Sequence, residues 1–230
     1  DFIKIDAESA EYNILLGMDR VMKEMRPMIT LEVGDMNVPD AASSKELVLY
    51  MMSKSYLPYE FNGECLENHK IKESYTYDNL LFLPQHLSPR CVKTKDHSQV
   101  GKILGECSPK DDGLKKLKTK IRNGIIRVYR KFDKVLSPYA LAFFDYYFNL
   151  SPQWLSEPLN GQKRRQELFG EFFEKVALNA IIETGTCLGS TTEFFAHKSK
   201  LPVYTVELIP RYYYYSAFRF KRLKGIHNFC

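Results

Sequence analysis

Residues 180–190 have the sequence Ala-Ile-Ile-Glu-Thr-Gly-Thr-Cys-Leu-Gly-Ser. The apolar start predicts a buried strand, the acid and glycine at 183 and 185 predict a turn, and a helical pattern continues from Thr191 to His197. Glycine at 185 and 189 lets the backbone pass close to a ligand, where a Cβ atom would collide. This pattern is typical of the strand, loop and helix start of an α/β ligand-binding unit.

A second strand pattern, Pro-Val-Tyr-Thr-Val at residues 202–206, ends in Glu207. Glu207 lies 22 residues after Gly185. An acid at the end of the second strand, about 20 residues after the glycine turn, is placed to accept hydrogen bonds from a ribose. A third strand pattern begins at Ile226, and the sequence ends at Cys230, so the other strands of such a fold do not follow the glycine loop.

An α/β pattern at the other end of the chain supplies further strands. Residues 1–6, Asp-Phe-Ile-Lys-Ile-Asp, are a short strand pattern that ends in an acid, and an apolar helical face continues from Ile14 to Met25. The sequence also indicates three more strands, at 28–33, 56–61 and 77–84, with a helix at 44–54 and a turn at 62–63. The first 85 residues therefore predict the order β-α-β-α-β-β, and the tail of an α/β fold precedes its head.

Both ends resemble known methyltransferases. Residues 1–84 resemble the C-terminal half of FkbM-type methyltransferases, which methylate hydroxyl groups with S-adenosylmethionine. The stretches that carry this resemblance are Phe-Ile-Lys-Ile-Asp-Ala-Glu-Ser-Ala-Glu at 2–11, Arg-Pro at 26–27 leading to Leu-Glu-Val at 31–33, and Asp-Asn-Leu-Leu-Phe-Leu-Pro at 78–84. Ser9 stands where the family pattern has glycine. Residues 177–230 resemble the N-terminal half of a class I methyltransferase, through the glycine loop and the acid of the second strand.

The resemblance implies an α/β fold made of Rossmann-like class I methyltransferase pieces, with S-adenosylmethionine as the cofactor. The residues that it assigns to the cofactor are Glu183, Gly185, Thr186, Gly189, Ser190 and Glu207. Ser190 and Thr191 could cap the next helix, whose unpaired N–H groups suit the carboxylate of a methionine moiety. The loop lacks the G-x-G-x-x-G pattern that brings a dinucleotide pyrophosphate onto a helix, which disfavours a nicotinamide cofactor.

Three acids follow the first strand. Asp6 comes at its carboxyl end, the edge where ligands bind in open α/β sheets, and Glu8 lies just beyond it. We assign Asp6 and Glu8 as catalytic, because a carboxylate near an acceptor hydroxyl can orient or deprotonate it during methyl transfer. Glu8 and Glu11 could instead only cap the helix that follows. Lys4 alternates with Ile3 and Ile5, and we expect it at the surface.

The two halves of the chain carry opposite net charges, which the overall net charge of +5 does not reveal. Residues 1–113 hold 13 basic and 19 acidic residues, whereas residues 114–230 hold 20 and 9. The stretch 114–135 has nine Lys or Arg, one acid and an amphipathic apolar stripe. This basic helix could bind nucleic acid, but Tyr129 is the one aromatic residue of this stretch outside its apolar stripe, so the pattern favours a solvated helix packed on a neighbouring domain.

Composition favours a soluble, cytoplasmic protein. The 230 residues are 44% hydrophobic, which supports a sizeable core, and no apolar run reaches the roughly 18 residues of a membrane span. Five scattered cysteines form no CxxC pair, which favours reduced thiols. The five histidines form no metal-ligand spacing, so no metal is assigned.

The predicted organisation has four parts: an FkbM-like C-terminal half (1–85), a linker (86–113), a helical region that is basic and then aromatic-rich (114–176), and a class I N-terminal half (177–230). The predicted function is an S-adenosylmethionine-dependent O-methyltransferase acting on a small-molecule hydroxyl of a sugar or secondary metabolite. The alternatives are a non-catalytic methyltransferase-like scaffold and a nucleic-acid-binding module based on residues 114–135.

Three arrangements would explain the order of the two halves: a fragment across the junction of tandem enzymes, inactive alone; a circular permutant; or independent half-domains that need partners. In a class I methyltransferase, strand four lies beside strand one. If the halves complement each other, we expect Phe2–Asp6 to run parallel to Ala180–Thr184 in one composite sheet, because each half alone leaves an open strand edge.

Overall fold

The structure is a computed structural model, and its described residues are 1–7, 10–35, 42–61, 66–87, 135–151 and 156–230. Glu8, the turn predicted at 62–63, and nearly all of the linker and the basic stretch 114–135 lie outside these residues. Among the described residues, no helix is long and apolar enough to cross a membrane.

The described residues of the N-terminal part form five strands and three helices. In chain order they are β1 (Phe2–Ile5), α1 (Glu11–Gly17), α2 (Asp19–Glu24), β2 (Met28–Val33), α3 (Ser44–Ser53), β3 (Tyr56–Phe61), β4 (Leu66–Asn68) and β5 (Asp78–Pro84). The helix predicted up to Met25 is divided into α1 and α2 at Met18, and β4 was not predicted. Helix α3 begins where the chain provides a capping box, in which Ser43 and Glu46 bond to each other's backbone N–H groups.

In the C-terminal part, residues 135–151 and 156–230 form three strands and four helices. They are α4 (Pro138–Tyr147), α5 (Lys163–Lys175), β6 (Ile181–Thr184), α6 (Ser190–Ser199), β7 (Val203–Val206), α7 (Pro210–Phe220) and β8 (Ile226–Phe229). A short 3-10 turn, Pro158–Gly161, precedes α5. The strands predicted at 180–184, 202–206 and 226–230 are confirmed to within one or two residues.

All eight strands form one mixed sheet in the order β4-β3-β5-β2-β1-β6-β7-β8. Five adjacent strands, in the spatial order β2-β1-β6-β7-β8, are parallel to one another. Strand β5 is antiparallel to both of its neighbours, β2 and β3. Because parallel strands are joined through helices that cover both faces, the fold is α/β and Rossmann-like.

Strands β1 and β6 join the two halves of the chain. They pair in parallel, with Phe2 opposite Ile181 and Ile5 opposite Thr184. The predicted composite sheet is therefore confirmed, and the arrangement in which the halves form separate sheets is wrong. The physical reason is that β1 is buried on both faces, and that β1 and β6 each pair along both of their edges in the interior of the sheet.

Each face of the sheet has its own core. Ile3 and Ile5 point to a face covered by α1, α2 and α3, where they pack with Leu15 and Met51. Phe2 alternates to the other face, where it packs with side chains of α5 and α6. Alternation along one four-residue strand therefore ties together helices from both halves of the chain.

Truncation of Phe2 tests whether the two halves unfold as one unit. Phe2 is 1% exposed and contacts four phenylalanine rings, so Phe2→Ala should lower the free energy of unfolding by about 3–5 kcal/mol. Urea titrations followed by circular dichroism and by fluorescence should give one coincident transition. Leu208→Ala, at a residue 86% exposed, is the control and should change the free energy by less than about 0.5 kcal/mol. Two separate transitions would contradict the shared core.

Candidate functional site

The carboxyl ends of β1, β6 and β7 meet at one edge of the sheet. From β6 the chain passes through α6 to β7 on one side, and from β1 it passes through α1 and α2 to β2 on the other side. Because α6 lies on one face of the sheet and α1 and α2 on the other, the connections after β6 and β1 diverge. Such a switch point opens the crevice in which ligands bind in open α/β sheets.

The glycine loop 185–189 follows β6 at this switch point. Gly185 has φ +79°, and a Cβ atom there would lie 2.0 Å from the carbonyl oxygen of Asp6. Gly189 has φ +77°, and a Cβ atom there would lie 2.5 Å from the ring of Phe220. Both positions therefore require glycine, because the backbone is left-handed and because β1 and α7 approach closely.

The loop is held from the side by α4 and α7. Leu188 is buried in a cluster with Ala142 of α4 and Tyr215 of α7. A salt bridge of 2.7 Å joins Arg211 of α7 to the buried Asp145 of α4. Helix α4, within the region predicted to be helical and aromatic-rich, thus forms part of the support of the loop.

Cys187 lies within this loop, but its surroundings do not favour the thiolate form that a nucleophilic cysteine needs. Burial raises the pKa of its thiol to about 11, and the negative charges of Glu207 and Asp6 act in the same direction. The thiol is therefore neutral at physiological pH and is not a thiolate nucleophile.

The N-terminus of α6 receives no side-chain cap from the described residues. Its N-cap is Gly189, so the prediction that Ser190 or Thr191 caps the helix is wrong. The Ser190 hydroxyl donates to the carbonyl of Glu157 at 3.3 Å, and Thr191 Oγ1 accepts from the N–H of Leu159 at 3.0 Å. These hydroxyls are used to fix residues 157–159 beside the helix, so they do not occupy the first N–H groups of α6.

Glu207 lies at the end of β7, as predicted, but its carboxylate contacts the chain itself. Oε2 accepts from the N–H of Cys187 at 2.7 Å, and Oε1 accepts from the N–H of Ile209 at 2.8 Å. The residue is 5% exposed. Glu207 therefore joins the glycine loop to the start of α7, and each of its oxygens retains a second lone pair for a further donor.

The side chains of Glu183, at the end of β6, and Thr186, within the loop, are both buried. Glu183 is 1% exposed, and its Oε2 accepts from Thr192 at 2.5 Å and from Thr205 at 3.4 Å. Thr186 is 3% exposed and shares a 2.6 Å hydroxyl–hydroxyl bond with Thr205. Of the predicted cofactor-binding residues, Glu183 thus supports the loop from below and Thr186 anchors it to β7, whereas Gly185, Gly189 and Ser190 form the two glycine positions of the loop and the helix start.

Lys4 is buried, and the expectation that it lies at the surface is wrong. Its Nζ lies 3.0 Å from Oδ2 of Asp6 and 3.6 Å from Oε1 of Glu183. Lys4 and Glu183 are opposite each other in the register of β1 and β6, and Thr205 of β7 is opposite Glu183. The sequence contained a signal for this pair, because Lys4 and Glu183 are a base and an acid inside two strands that are otherwise mostly apolar.

The environment shifts the pKa values of both partners. Burial lowers the pKa of Lys4, but the attraction of Glu183 and Asp6 is stronger, and its net pKa is raised. Burial raises the pKa of Glu183, and Lys4 and the Thr192 hydroxyl partly offset this. Lys4 is therefore charged at neutral pH and compensates the buried charge of Glu183.

Asp6 is the more exposed of the two acids that lie near Lys4. Its side chain is 34% exposed at the crevice, and its N–H contacts the hydroxyl of Thr184 at 3.4 Å. Glu11 is buried, and its Oε1 accepts from the N–H of Ala7 at 2.9 Å, so it fixes the turn before α1. In the described part of the chain, no group of His, Cys, Asp and Glu is arranged to hold a metal ion.

Comparisons with known proteins find little. No family model matches the sequence, and a search of curated proteins finds no match. Among solved structures, the chain is similar to the crystal structure of TTHA0409 from Thermus thermophilus, provisionally described as a DNA modification methylase and complexed with S-adenosyl-L-methionine. The two share 12% identity over 99% of this chain and 88% of that chain, with a TM-score of 0.37. The assignment of the fold depends on the strand order and not on this similarity.

Substitution of Gly185 tests the loop geometry. Gly185→Ala should destabilise the protein by more than about 2 kcal/mol, because a left-handed residue gains a Cβ that collides with the Asp6 carbonyl. Gly170→Ala is the matched control, since Gly170 lies within α5 with open space around it and should gain up to about 1 kcal/mol. Equal effects in chemical denaturation would refute the close approach of β1 to the loop.

The ion pair beneath the loop predicts a second result. Lys4→Met should lower the free energy of unfolding at neutral pH by about 3–5 kcal/mol, because it leaves the Glu183 carboxylate buried without its cation. The folded-state pKa of Glu183 then rises further, so the stability of this variant should fall as pH rises through that pKa. Lys4→Met combined with Glu183→Gln should recover most of the loss and remove this pH dependence. A double variant as unstable as the single one would contradict the ion pair.

Proposed function

We propose that this chain is an S-adenosylmethionine-dependent methyltransferase that methylates a hydroxyl group. The observation that carries the proposal is the glycine loop at the switch point of a Rossmann-like sheet, with Glu207 at the end of the next strand. The pairing of β1 with β6 further supports it, since this is the neighbour relation of strands four and one in class I methyltransferases.

The residues present fit this cofactor. The N-terminus of α6, which no described side chain caps, offers N–H donors and positive potential to a carboxylate such as that of the methionine moiety. The remaining lone pairs of Glu207 would accept hydrogen bonds from ribose hydroxyls. Gly185, Gly189 and Ser190 would contact the cofactor directly, and Glu183 and Thr186 would hold the loop that does so.

When bound, S-adenosylmethionine supplies a methyl group on a positively charged sulfur. The acceptor oxygen forms a bond to the methyl carbon as the carbon–sulfur bond breaks, which gives a methyl ether and S-adenosylhomocysteine. Asp6, exposed at the crevice and hydrogen-bonded to Lys4, would accept the hydroxyl proton and orient the acceptor. Glu8, assigned with it from the sequence, lies outside the described residues.

The acceptor that we propose, a hydroxyl of a sugar or secondary metabolite, follows from the resemblance of residues 1–84 to FkbM-type enzymes. A non-catalytic scaffold is the second candidate. The observation that favours the scaffold is that both carboxylate oxygens of Glu207 already accept backbone N–H groups.

Calorimetry with S-adenosylmethionine separates the two candidates. The wild-type chain should bind it, and Glu207→Gln should weaken binding at least tenfold, because a hydrogen bond to a charged group contributes about 1.5–3 kcal/mol. Glu24→Gln, at an exposed position in α2, is the control and should leave the affinity unchanged. Binding of NAD in place of S-adenosylmethionine would overturn the methyltransferase assignment.

Asp6→Asn tests the chemical step. Methyl transfer from labelled S-adenosylmethionine should fall by about 10²–10⁴-fold, because the amide accepts no proton. Cofactor affinity should be retained, since Asp6 is assigned to the acceptor. An equal loss of cofactor affinity would place Asp6 in the cofactor site.

A further inference from the structure

A second polar group lies at the same sheet edge as Asp6. Glu32 is at the carboxyl end of β2, the strand beside β1, and it shares a face with Asp6 because Thr30 is opposite Lys4. Strand β5 runs antiparallel to β2, so Tyr77, just before β5, lies at this edge too. Asn79 is directly opposite Glu32 in the register.

A hydrogen bond joins two of these side chains. The Tyr77 hydroxyl donates to Oε2 of Glu32 at 2.9 Å. Among the described residues, Oε1 of Glu32 has no hydrogen-bond partner. The bond from Tyr77 therefore fixes the orientation of a half-buried carboxylate and leaves one of its oxygens available.

The charges that face Glu32 come from β1 and α5. Its pKa is raised first by burial and then by the negative charge of Asp6, whereas the Tyr77 hydrogen bond and the positive charges of Lys4 and Arg165 lower it. Asp6 is thus close enough to Glu32 for their charges to interact. A sheet edge with two adjacent carboxylates offers acceptors and repels anions.

We propose that Glu32 and Tyr77 form an acceptor-binding subsite, which holds a second hydroxyl of an uncharged polyhydroxyl acceptor beside the hydroxyl that Asp6 orients. The inference rests on the proposed function and specifies its substrate class. Oε1 of Glu32 accepts a hydrogen bond from the second hydroxyl, and Tyr77 holds the carboxylate in place. A lone alcohol would use Asp6 alone, and a phosphorylated sugar would place an anion against two carboxylates.

The test uses the full chain, tritium-labelled S-adenosylmethionine and three probes: methyl α-D-glucopyranoside, cyclohexanol and glucose 6-phosphate. Wild type should use the glucoside at least tenfold better than cyclohexanol by kcat/KM, and better than the phosphate. Glu32→Gln should raise KM for the glucoside at least tenfold and leave cyclohexanol unaffected. Tyr77→Phe should raise the same KM about threefold, since only the orientation of Glu32 is lost. Two exposed residues outside the cleft provide the controls Glu24→Gln and Tyr147→Phe, which should match wild type.

Two further measurements make every outcome decisive. Cofactor calorimetry on the same variants should give unchanged affinity, and a wild-type chain that does not bind S-adenosylmethionine refutes the proposed function by itself. Saturation-transfer NMR then measures glucoside binding without the cofactor, so the subsite is judged separately. Equal losses on all probes, preference for the phosphate, or glucoside binding that ignores Glu32→Gln would each overturn the subsite.

Discussion

The parallel pairing of β1 with β6 is the contact on which the rest of the molecule depends. It joins residues separated by most of the chain, and it brings the carbonyl of Asp6 against Gly185. Without it, the glycine loop would lack its contact with the end of β1, and Asp6 would lie away from the loop. The entropic cost of closing so long a loop grows only slowly with its length, so burial of two central strands readily offsets it.

The ion pair of Lys4 and Glu183 fixes the register of that pairing. A shift of one residue would turn Lys4 towards the apolar core that contains Ile3 and Ile5 and would leave Glu183 without its cation. Buried ion pairs seldom add much net stability, because desolvation opposes their attraction. Here the pair lies directly under the proposed catalytic edge, and its effect is to select one alignment of the two halves over the alternatives.

Much of this arrangement could be predicted from local patterns. Apolar runs that end in acids located β1, β6 and β7, and the glycine spacing located the loop, because these features depend on neighbours in the sequence. The roles of Lys4, Glu207 and Glu32 could not be predicted in the same way. Lys4 is buried by a strand far away in the chain. Glu207 accepts from the N–H of Cys187, which has a positive φ, and Glu32 is oriented by a tyrosine 45 residues later. The division of α1 from α2 at Met18 directly follows Gly17, an isolated glycine inside a helical pattern that continues on both sides of it.

The acids at this sheet edge differ in exposure, and their exposure determines which of them a ligand can contact. Glu183 is fully buried, bonded to threonines and paired with Lys4, so its charge stabilises position and is not available to a ligand. Asp6 contacts the same lysine but is partly exposed, so its carboxylate is accessible to the acceptor that we propose. Glu32 is one strand further out and is oriented by the neutral hydroxyl of Tyr77, which suits hydrogen bonding better than proton transfer. The buried Lys4 therefore lies among three carboxylates on adjacent strands: Glu183 is structural, and Asp6 and Glu32 are exposed enough to contact a ligand.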